Sequence, residues 1–178
     1  GGDGNDTLVG GAGADQLFGG NGNDTADYSA SSSGINVHLD TGAASGGHAQ
    51  GDTLNSIENV TGSSHDDYLV GSSGNNKIYG GDGDDTISGG GGYDEIHGGA
   101  GNDTIDALTG SAYNTGGSKI YGEDGNDHIL GSLDDDLIVG GNGDDHIMGL
   151  GGSDTVTGGA GHDTFEWQID APLQGYDV

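Results

Sequence analysis

The sequence predicts an all-β solenoid in which short parallel strands stack along one axis. Three features predict it: a nine-residue repeat over most of the chain, 43 glycines among 178 residues, and an apolar content of only 29%. Ordering a backbone costs about 1–2 kcal/mol per residue, so this apolar content cannot stabilise a wide globular core. A thin core that is repeated along the axis remains the expected arrangement.

The repeat becomes visible when the glycines are aligned at nine-residue spacing. The sixth position is aspartate in twelve of thirteen repeats, with Asn76 as the exception, and the eighth is a large apolar residue in twelve, with Ala26 as the exception. The repeats begin at Gly1, Gly10 and Gly19, at Gly62, Gly71, Gly80, Gly89 and Gly98, and at Gly122, Gly131, Gly140, Gly149 and Gly158. This regularity predicts a fixed role for each of the two positions.

Within each repeat, six turn-forming residues precede three residues that suit a short strand. The eighth side chain of such a strand points inward and its neighbours point outward. Nine residues then make half a coil, and each repeat is expected to lie above the repeat two places earlier. The eighth-position side chains would form the core between two parallel sheets.

The blocks define the expected organisation of the chain. Residues 1–27, 62–106 and 122–166 form repeat blocks, and residues 107–121 combine a six-residue insertion, Ala107 to Ala112, with a degenerate repeat. Residues 167–178 are interpreted as the start of a truncated C-terminal cap, with Trp167 covering the open end of the core. Because the chain starts inside a repeat and stops abruptly at Val178, we expect it to be a fragment of a longer protein.

Residues 28–61 are interpreted as an irregular connecting coil. Ile35, Val37 and Leu39 alternate with polar residues, which predicts a strand. A stretch of Gly, Ala, Ser and His follows and predicts a surface loop, before apolar residues return at Leu54 and beyond. We expect the stack to continue through this segment with the loop displaced outward.

The charge balance demands a cationic partner. Thirty acidic residues face only Lys77 and Lys119, which gives a formal net charge of -28. Nucleic acids, anionic membrane surfaces and acidic polysaccharides are disfavoured as partners, because binding each of them needs cationic side chains. The chain has no cysteine, which excludes disulfides and thiolate metal sites, and no apolar run approaches a membrane span.

Calcium is the cation that the turns suit. It takes six to eight oxygen ligands, and one aspartate per turn cannot supply them. Two stacked turns would therefore share each ion, and glycine backbone would let carbonyl oxygens converge on it.

These nonapeptides, of the form G-G-x-G-x-D-x-U-x with an apolar residue at U, resemble those of the RTX (repeats-in-toxin) proteins. The resemblance implies a parallel β-roll, a right-handed solenoid similar to a β-helix, with calcium in its turns. It also implies that one turn binds each ion through the carbonyls of positions two and four and its aspartate. The next turn on the same edge adds the carbonyls of positions one and three and its own aspartate.

Applied to this sequence, the resemblance implies seven sites within the blocks, so about seven or more ions are expected. Four pairs of turns follow the rule closely: Gly81, Gly83 and Asp85 with Gly98, Ala100 and Asp103; Gly141, Gly143 and Asp145 with Gly158, Ala160 and Asp163; Gly2, Gly4 and Asp6 with Gly19, Asn21 and Asp24; and Glu123, Gly125 and Asp127 with Gly140, Asn142 and Asp145.

Three further pairs depart from the pattern through a replaced glycine or a lost carboxylate. They are Ser63, His65 and Asp67 with Gly80, Asp82 and Asp85; Ser132, Asp134 and Asp136 with Gly149, Gly151 and Asp154; and Ser72, Gly74 and Asn76 with Gly89, Gly91 and Asp94. The site of Asn76 is expected to be the weakest.

The functional hypothesis is a calcium-induced folding module of a secreted bacterial protein. The resemblance implies export through a type I secretion channel, with folding on contact with extracellular calcium. Two alternatives stay open: the stalk of a cell-surface adhesin, and the C-terminal module of a secreted hydrolase or polysaccharide-modifying enzyme. No catalytic set stands apart from the repeat register, so the segment itself is not expected to be an enzyme. His128 and His146 lie eighteen residues apart, and an exposed ladder is favoured there over a zinc site.

Overall fold

The computed structural model describes residues 1–108 and 116–166, which form a stack of short strands in two main sheets. The first sheet contains β2 (Thr7–Leu8), β5 (Thr25–Asp27), β9 (Asn59–Thr61), β11 (Lys77–Asp82), β13 (Glu95–Ala100), β15 (Lys119–Asp124), β17 (Leu137–Asn142) and β19 (Thr155–Ala160). All of its pairings are parallel.

The second sheet lies on the other side of the core. Its strands are β3 (Gln16–Phe18), β6 (Asn36–His38), β7 (Ala43–Ser45), β8 (Thr53–Asn55), β10 (Tyr68–Val70), β12 (Thr86–Ser88), β14 (Thr104–Asp106), β16 (His128–Leu130), β18 (His146–Met148) and β20 (Thr164–Glu166). The strands β1 (Gly2–Asp3) and β4 (Gly20–Asn21) pair separately, and a 3-10 turn covers Gly47–Ala49. The predicted all-β fold with parallel strands is confirmed.

The register between layers follows the repeat. Ile78 pairs with Ile96 in the first sheet and Ile87 with Ile105 in the second, each eighteen residues apart. Each repeat therefore forms half a coil and lies above the repeat two places earlier, as predicted. Across the segment after β14 the offset grows to twenty-four residues, since Ile105 pairs with Ile129. Residues 109–115, which hold part of the expected insertion and degenerate repeat, lie outside the described part of the chain.

The core is a ladder of eighth-position side chains, and it is only one side chain wide on each sheet. Nine of its leucine and isoleucine side chains are at most 1% exposed: Leu69, Ile78, Ile87, Ile96, Ile105, Ile120, Ile129, Ile138 and Ile147. Their flanking neighbours are half-buried or exposed, because successive side chains of a strand point to opposite faces. Burying each large aliphatic side chain contributes about 1.5–3 kcal/mol. The predicted cap at residues 167–178, with Trp167, lies outside the described residues.

The predicted surface loop after Leu39 is wrong. Ala43–Ser45 forms β7, which pairs antiparallel with β6 and with β8, and so enters the second sheet. Ala44 and Ala49 are buried. Small side chains fit between the layers without the bulky apolar residues that mark a strand in the sequence, which is why the pattern did not reveal it. The predicted strand around Val37 is confirmed as β6, and β9 continues the first sheet between β5 and β11.

The close spacing of the turns makes a side chain larger than glycine unfavourable at Gly99. Gly99 has a φ of 119°, a conformation that side chains rarely adopt, and a Cβ on it would overlap the carbonyl oxygen of Gly81 one layer away. Gly74 lacks both constraints, since the nearest atom to its Cβ position is Ser72 Oγ at 3.7 Å. Gly99, in the second position of its repeat, and Gly74, in the fourth position of its repeat, are therefore predicted to differ in their tolerance of alanine.

We expect Gly99→Ala to lower the free energy of unfolding by about 2 kcal/mol or more, because φ strain of about 1–2 kcal/mol adds to the backbone overlap. The matched control Gly74→Ala should leave it unchanged or raise it by up to about 1 kcal/mol. Urea unfolding in saturating calcium measures both. Equal effects of the two substitutions would contradict the layer spacing.

Candidate calcium sites

The sixth-position residues form two ladders, one along each edge of the roll. In each step the backbone N–H of one residue donates to the carboxylate Oδ1 one layer further on. One ladder runs through the turns that lead into strands of the second sheet. Its N to Oδ1 distances are 2.8 Å for Asp67 to Asp85, Asp85 to Asp103 and Asp103 to Asp127, 2.9 Å for Asp127 to Asp145 and 3.2 Å for Asp145 to Asp163. The other ladder runs through the turns that lead into strands of the first sheet. Its steps include Asp6 to Asp24 at 2.8 Å and Asn76 to Asp94 at 2.9 Å. The carboxylates are thus stacked at fixed positions.

The second carboxylate oxygen in many of these turns is buried without a partner. Within the described residues, Oδ2 accepts no hydrogen bond in eight aspartates: Asp6, Asp15, Asp24, Asp85, Asp94, Asp103, Asp127 and Asp145. A buried ionised oxygen is costly unless it is paired or binds a metal. Eight such oxygens in equivalent positions indicate a recurring cation site.

A carbonyl oxygen from the next turn meets each of these carboxylates. The point that a Cβ would occupy on Gly80 is filled by Asp85 Oδ2 and the carbonyl oxygen of Gly98. The same pairing recurs at the first glycine of other turns, with oxygens from Asp103 and Gly122, from Asp127 and Gly140, from Asp145 and Gly158, and from Asp6 and Gly19. Oxygen donors from consecutive turns therefore converge, and hard oxygen donors suit calcium.

The oxygen atoms available in the turns also favour calcium over zinc. Among residues 1–108 and 116–166, no three His, Cys, Asp or Glu side chains gather into a metal-binding group. An ion in these turns would take most of its ligands from backbone carbonyls, as calcium does and zinc does not. The rings of His128 and His146 lie with centroids 4.8 Å apart and are tilted by 46°, as neighbours in a ladder on the outer face.

The structure brings together the turns of all four pairs that follow the rule closely. Their lower aspartates, Asp6, Asp85, Asp127 and Asp145, all carry the unpartnered Oδ2 and all lie one layer below the predicted partner turn. The three pairs that depart from the pattern are also stacked, through Asp67 to Asp85, Asn76 to Asp94 and Asp136 to Asp154.

In those three departing turns, however, the sixth side chain already has partners inside its own turn. Asp67 Oδ2 accepts a hydrogen bond from the Ser63 N–H at 2.5 Å, and Oδ1 accepts one from Ser63 Oγ at 2.9 Å. Ser132 donates to Asp136 in the same way. The Ser72 N–H donates to Asn76 Oδ1 at 2.7 Å. A serine in the second position therefore offers an internal donor in place of a cation.

The structure also stacks pairs of turns across the irregular segments, where the sequence allowed further sites but identified no residues. Asp103 and Asp127 are stacked across the longer coil, and the Gly101 N–H donates to the Asp124 carbonyl oxygen at 2.7 Å. Asp15 is stacked with Asp52, whose Oδ2 accepts a hydrogen bond from the Tyr28 hydroxyl at 3.0 Å. The signal for Asp52 is present in the sequence, since Asp52-Thr53-Leu54 repeats the last part of the nonapeptide.

Burial shifts the protonation of the stacked carboxyls. It raises the pKa of Asp85 to about 8, although the Asp67 N–H opposes this, and the neighbouring Asp67 and Asp103 raise it further. Burial also raises the pKa of Asp94 to about 7, and those of Asp103 and Asp127 to about 6. An ionised carboxyl there loses hydration, and an adjacent cation would offset that loss.

Stacked turns that direct carboxylate and carbonyl oxygens toward each other define a calcium-binding β-solenoid. The sequence profile of the RTX calcium-binding nonapeptide repeat, four copies long, matches residues 1–30, 61–96, 81–111, 114–138 and 130–165. The chain belongs to this family, and its repeats are calcium-binding repeats. No curated protein matches the chain closely enough to count as a relative. In the part of the chain that the structure describes, no helix has the length and apolar character needed to cross a membrane.

The raised pKa values predict that protons and calcium compete for the turns. A carboxyl whose pKa is higher in the folded than in the unfolded chain stabilises the fold while protonated. That stabilisation is complete below the unfolded pKa of about 4 and is lost as pH rises through the folded values of about 6 to 8. Without calcium, circular dichroism should therefore show more β structure at pH 5 than at pH 9.

Calcium affinity should change with pH in the opposite direction, rising between pH 6 and pH 8 as the turn carboxyls lose their protons. Calorimetry in two buffers of different ionisation enthalpy measures the protons released on binding. Affinity that is constant across this range, with no proton release, would contradict the burial of these carboxyls.

Proposed function

We propose that this chain is the calcium-dependent folding module of an exported protein. It is expanded where calcium is scarce and forms the roll where calcium is abundant. The observation that carries the proposal is the set of eight buried Oδ2 atoms without partners, in a chain with a net charge of -28. Two lysines cannot neutralise thirty acidic residues, so the folded state needs external cations.

The ions are proposed to lie between consecutive turns on the same edge. The pairs that begin at Asp6, Asp85, Asp127 and Asp145 have the lower carboxylate oxygen free and are the strongest candidates, together with the pair from Asp103 to Asp127. The pairs that begin at Asp67, Asn76 and Asp136 should bind more weakly, because a serine already donates to the sixth side chain. One ion for each unpartnered oxygen gives about eight ions.

The energetic scale supports a switch. With free calcium tenfold above its dissociation constant, each site adds about 1.4 kcal/mol, so eight independent sites add roughly 11 kcal/mol. Domain stabilities lie at about 5–15 kcal/mol. Sites with the dissociation constants of extracellular modules, about 10⁻⁴–10⁻³ M, would be nearly empty in the cytosol. A highly charged chain of low hydrophobicity would then remain expanded.

This behaviour suits export. An expanded chain can pass through a type I secretion channel, and calcium outside the cell would then fold it. The module is accordingly proposed to act in the extracellular space, where it supports an attached activity domain. Membership of the RTX repeat family supports this context.

Calcium titration of the stripped chain tests the proposal. In EGTA at pH 7.5 we expect a disordered far-UV circular dichroism spectrum, and added calcium should produce β structure cooperatively and reversibly. Magnesium serves as the control, because it demands octahedral geometry and keeps its water, so it should not fold the chain at equal concentration. A β spectrum already complete in EGTA would show a constitutive scaffold and would refute the proposal.

A further inference from the structure

A three-residue turn, residues 56–58, joins β8 to β9 where the regular roll uses six residues, as in 71–76 between β10 and β11. This short turn lies outside the nine-residue repeats and between the segments that match the repeat family, which end at residue 30 and resume at residue 61. It faces the regular turn of residues 19–24 one layer below.

Glu58 takes the place of the sixth-position aspartate in this layer. The Asp24 N–H donates to Glu58 Oε2 at 2.9 Å, just as the Asp6 N–H donates to Asp24 Oδ1 at 2.8 Å one layer below. The N–H groups of Glu58 and Asn59 both donate to the Asp24 carbonyl oxygen, at 3.1 and 2.9 Å. The carboxylate ladder therefore extends one layer into the irregular segment, with glutamate in place of aspartate.

Asp24 directs an unpartnered oxygen toward the short turn. Its side chain is fully buried, and Oδ2 has no hydrogen-bond partner among the described residues. The point that a Cβ would occupy on Gly19 is filled by Asp24 Oδ2 and the Ser56 carbonyl oxygen. One layer below, Asp6 Oδ2 and the Gly19 carbonyl oxygen fill the equivalent point on Gly1. Ser56 thus presents its carbonyl as the first glycine of a regular turn does.

We propose that the calcium ion expected at the unpartnered Asp24 Oδ2 lies between the 19–24 turn and the 56–58 turn, bound by Asp24, Glu58 and the Ser56 carbonyl oxygen. Backbone carbonyls of the 19–24 turn and water complete a shell of six to eight oxygens. Calcium tolerates the irregular arrangement of ligands that a shortened turn imposes, and magnesium does not. The inference rests on the proposed calcium-dependent folding, and it extends ion binding to a turn that lacks the nonapeptide.

This ion would join the first repeat block to the rest of the roll. β5 pairs with β9 across this boundary, and β9 pairs with β11 of the second block. Asp24 also belongs to the turn pair with Asp6, so it would serve two ions. Removal of its charge should therefore affect both.

The test counts calcium ions per chain by native mass spectrometry, at the lowest free calcium that saturates the unsubstituted chain. Glu58→Gln removes one of two ligand charges and should weaken this site at least about tenfold, so one ion is lost. Asp6→Asn should also lose one ion, and Asp24→Asn should lose two. The matched control is Asp40→Asn in the same irregular segment, whose exposed carboxylate lies 3.6 Å from the His38 ring and which should lose none.

If Glu58→Gln binds as many ions as the unsubstituted chain and with the same affinity, the inference is overturned. The proposed function then still stands, because the unsubstituted chain takes up calcium. No uptake by the unsubstituted chain would instead refute the proposed function. Because layers contact only their neighbours, the blocks after residue 61 should fold in every variant. If Glu58→Gln nevertheless fails to fold, the comparison of Asp24→Asn with Asp6→Asn decides the matter. A loss of only one ion from Asp24→Asn, the same as from Asp6→Asn, would also overturn the inference.

Discussion

Repulsion among the stacked carboxylates governs the rest of the structure. Most layers place a sixth-position carboxylate over the one below, and burial together with the neighbouring carboxylates raises the pKa of Asp85 to about 8. Adjacent ionised groups out of water destabilise a fold strongly unless a cation or a hydrogen-bond donor compensates. The N–H of the layer below compensates one oxygen, and calcium is the partner that we propose for the second oxygen. Where serine replaces the second glycine, as in Ser63, its own donors satisfy the carboxylate instead.

The apolar core and the turns have separate tasks. The ladder of isoleucines fixes which face of each strand points inward, since a register shift by one residue would expose every one of them. The core is nevertheless thin, and it cannot compensate alone for the entropy of ordering a chain with 43 glycines. Under the proposed function, ion binding in the turns is part of the folding free energy rather than an addition to a finished fold.

The irregular segments show what the roll preserves when the repeat is lost. The longer coil shifts the register to twenty-four residues but still stacks Asp127 on Asp103. In residues 28–61 the second sheet gains an antiparallel strand, yet Asp52 stacks with Asp15 and Glu58 with Asp24. In each case a backbone N–H still donates to a carboxylate of the next layer, although the nonapeptide sequence is lost. The ladder is thus more persistent than the sequence motif that usually encodes it.

The sequence predicts the regular parts of this molecule well because each position has one task. The inward-facing residues such as Ile96 and the parallel register follow directly from the nine-residue period. The strand at Ala43–Ser45 could not be predicted, because alanine gives little apolar signal and the strand pairs antiparallel within a parallel stack. Glu58 was not recognised, because a three-residue turn breaks the spacing that identifies a ligand. The sequence marks the turns of His65 and Asp134 as departures through their replaced fourth-position glycine. The hydrogen bonds that Ser63 and Ser132 donate there could not be predicted, because they depend on the conformation of the turn.

The number of calcium ions taken up on folding tests the central claim most directly. It is the slope of the logarithm of the folding equilibrium constant against the logarithm of free calcium, obtained from urea unfolding at a series of buffered calcium concentrations. The account predicts a slope of about eight while the sites fill, one ion for each unpartnered carboxylate oxygen. A slope near zero would mean that the buried carboxylates are tolerated without calcium, and it would contradict the account.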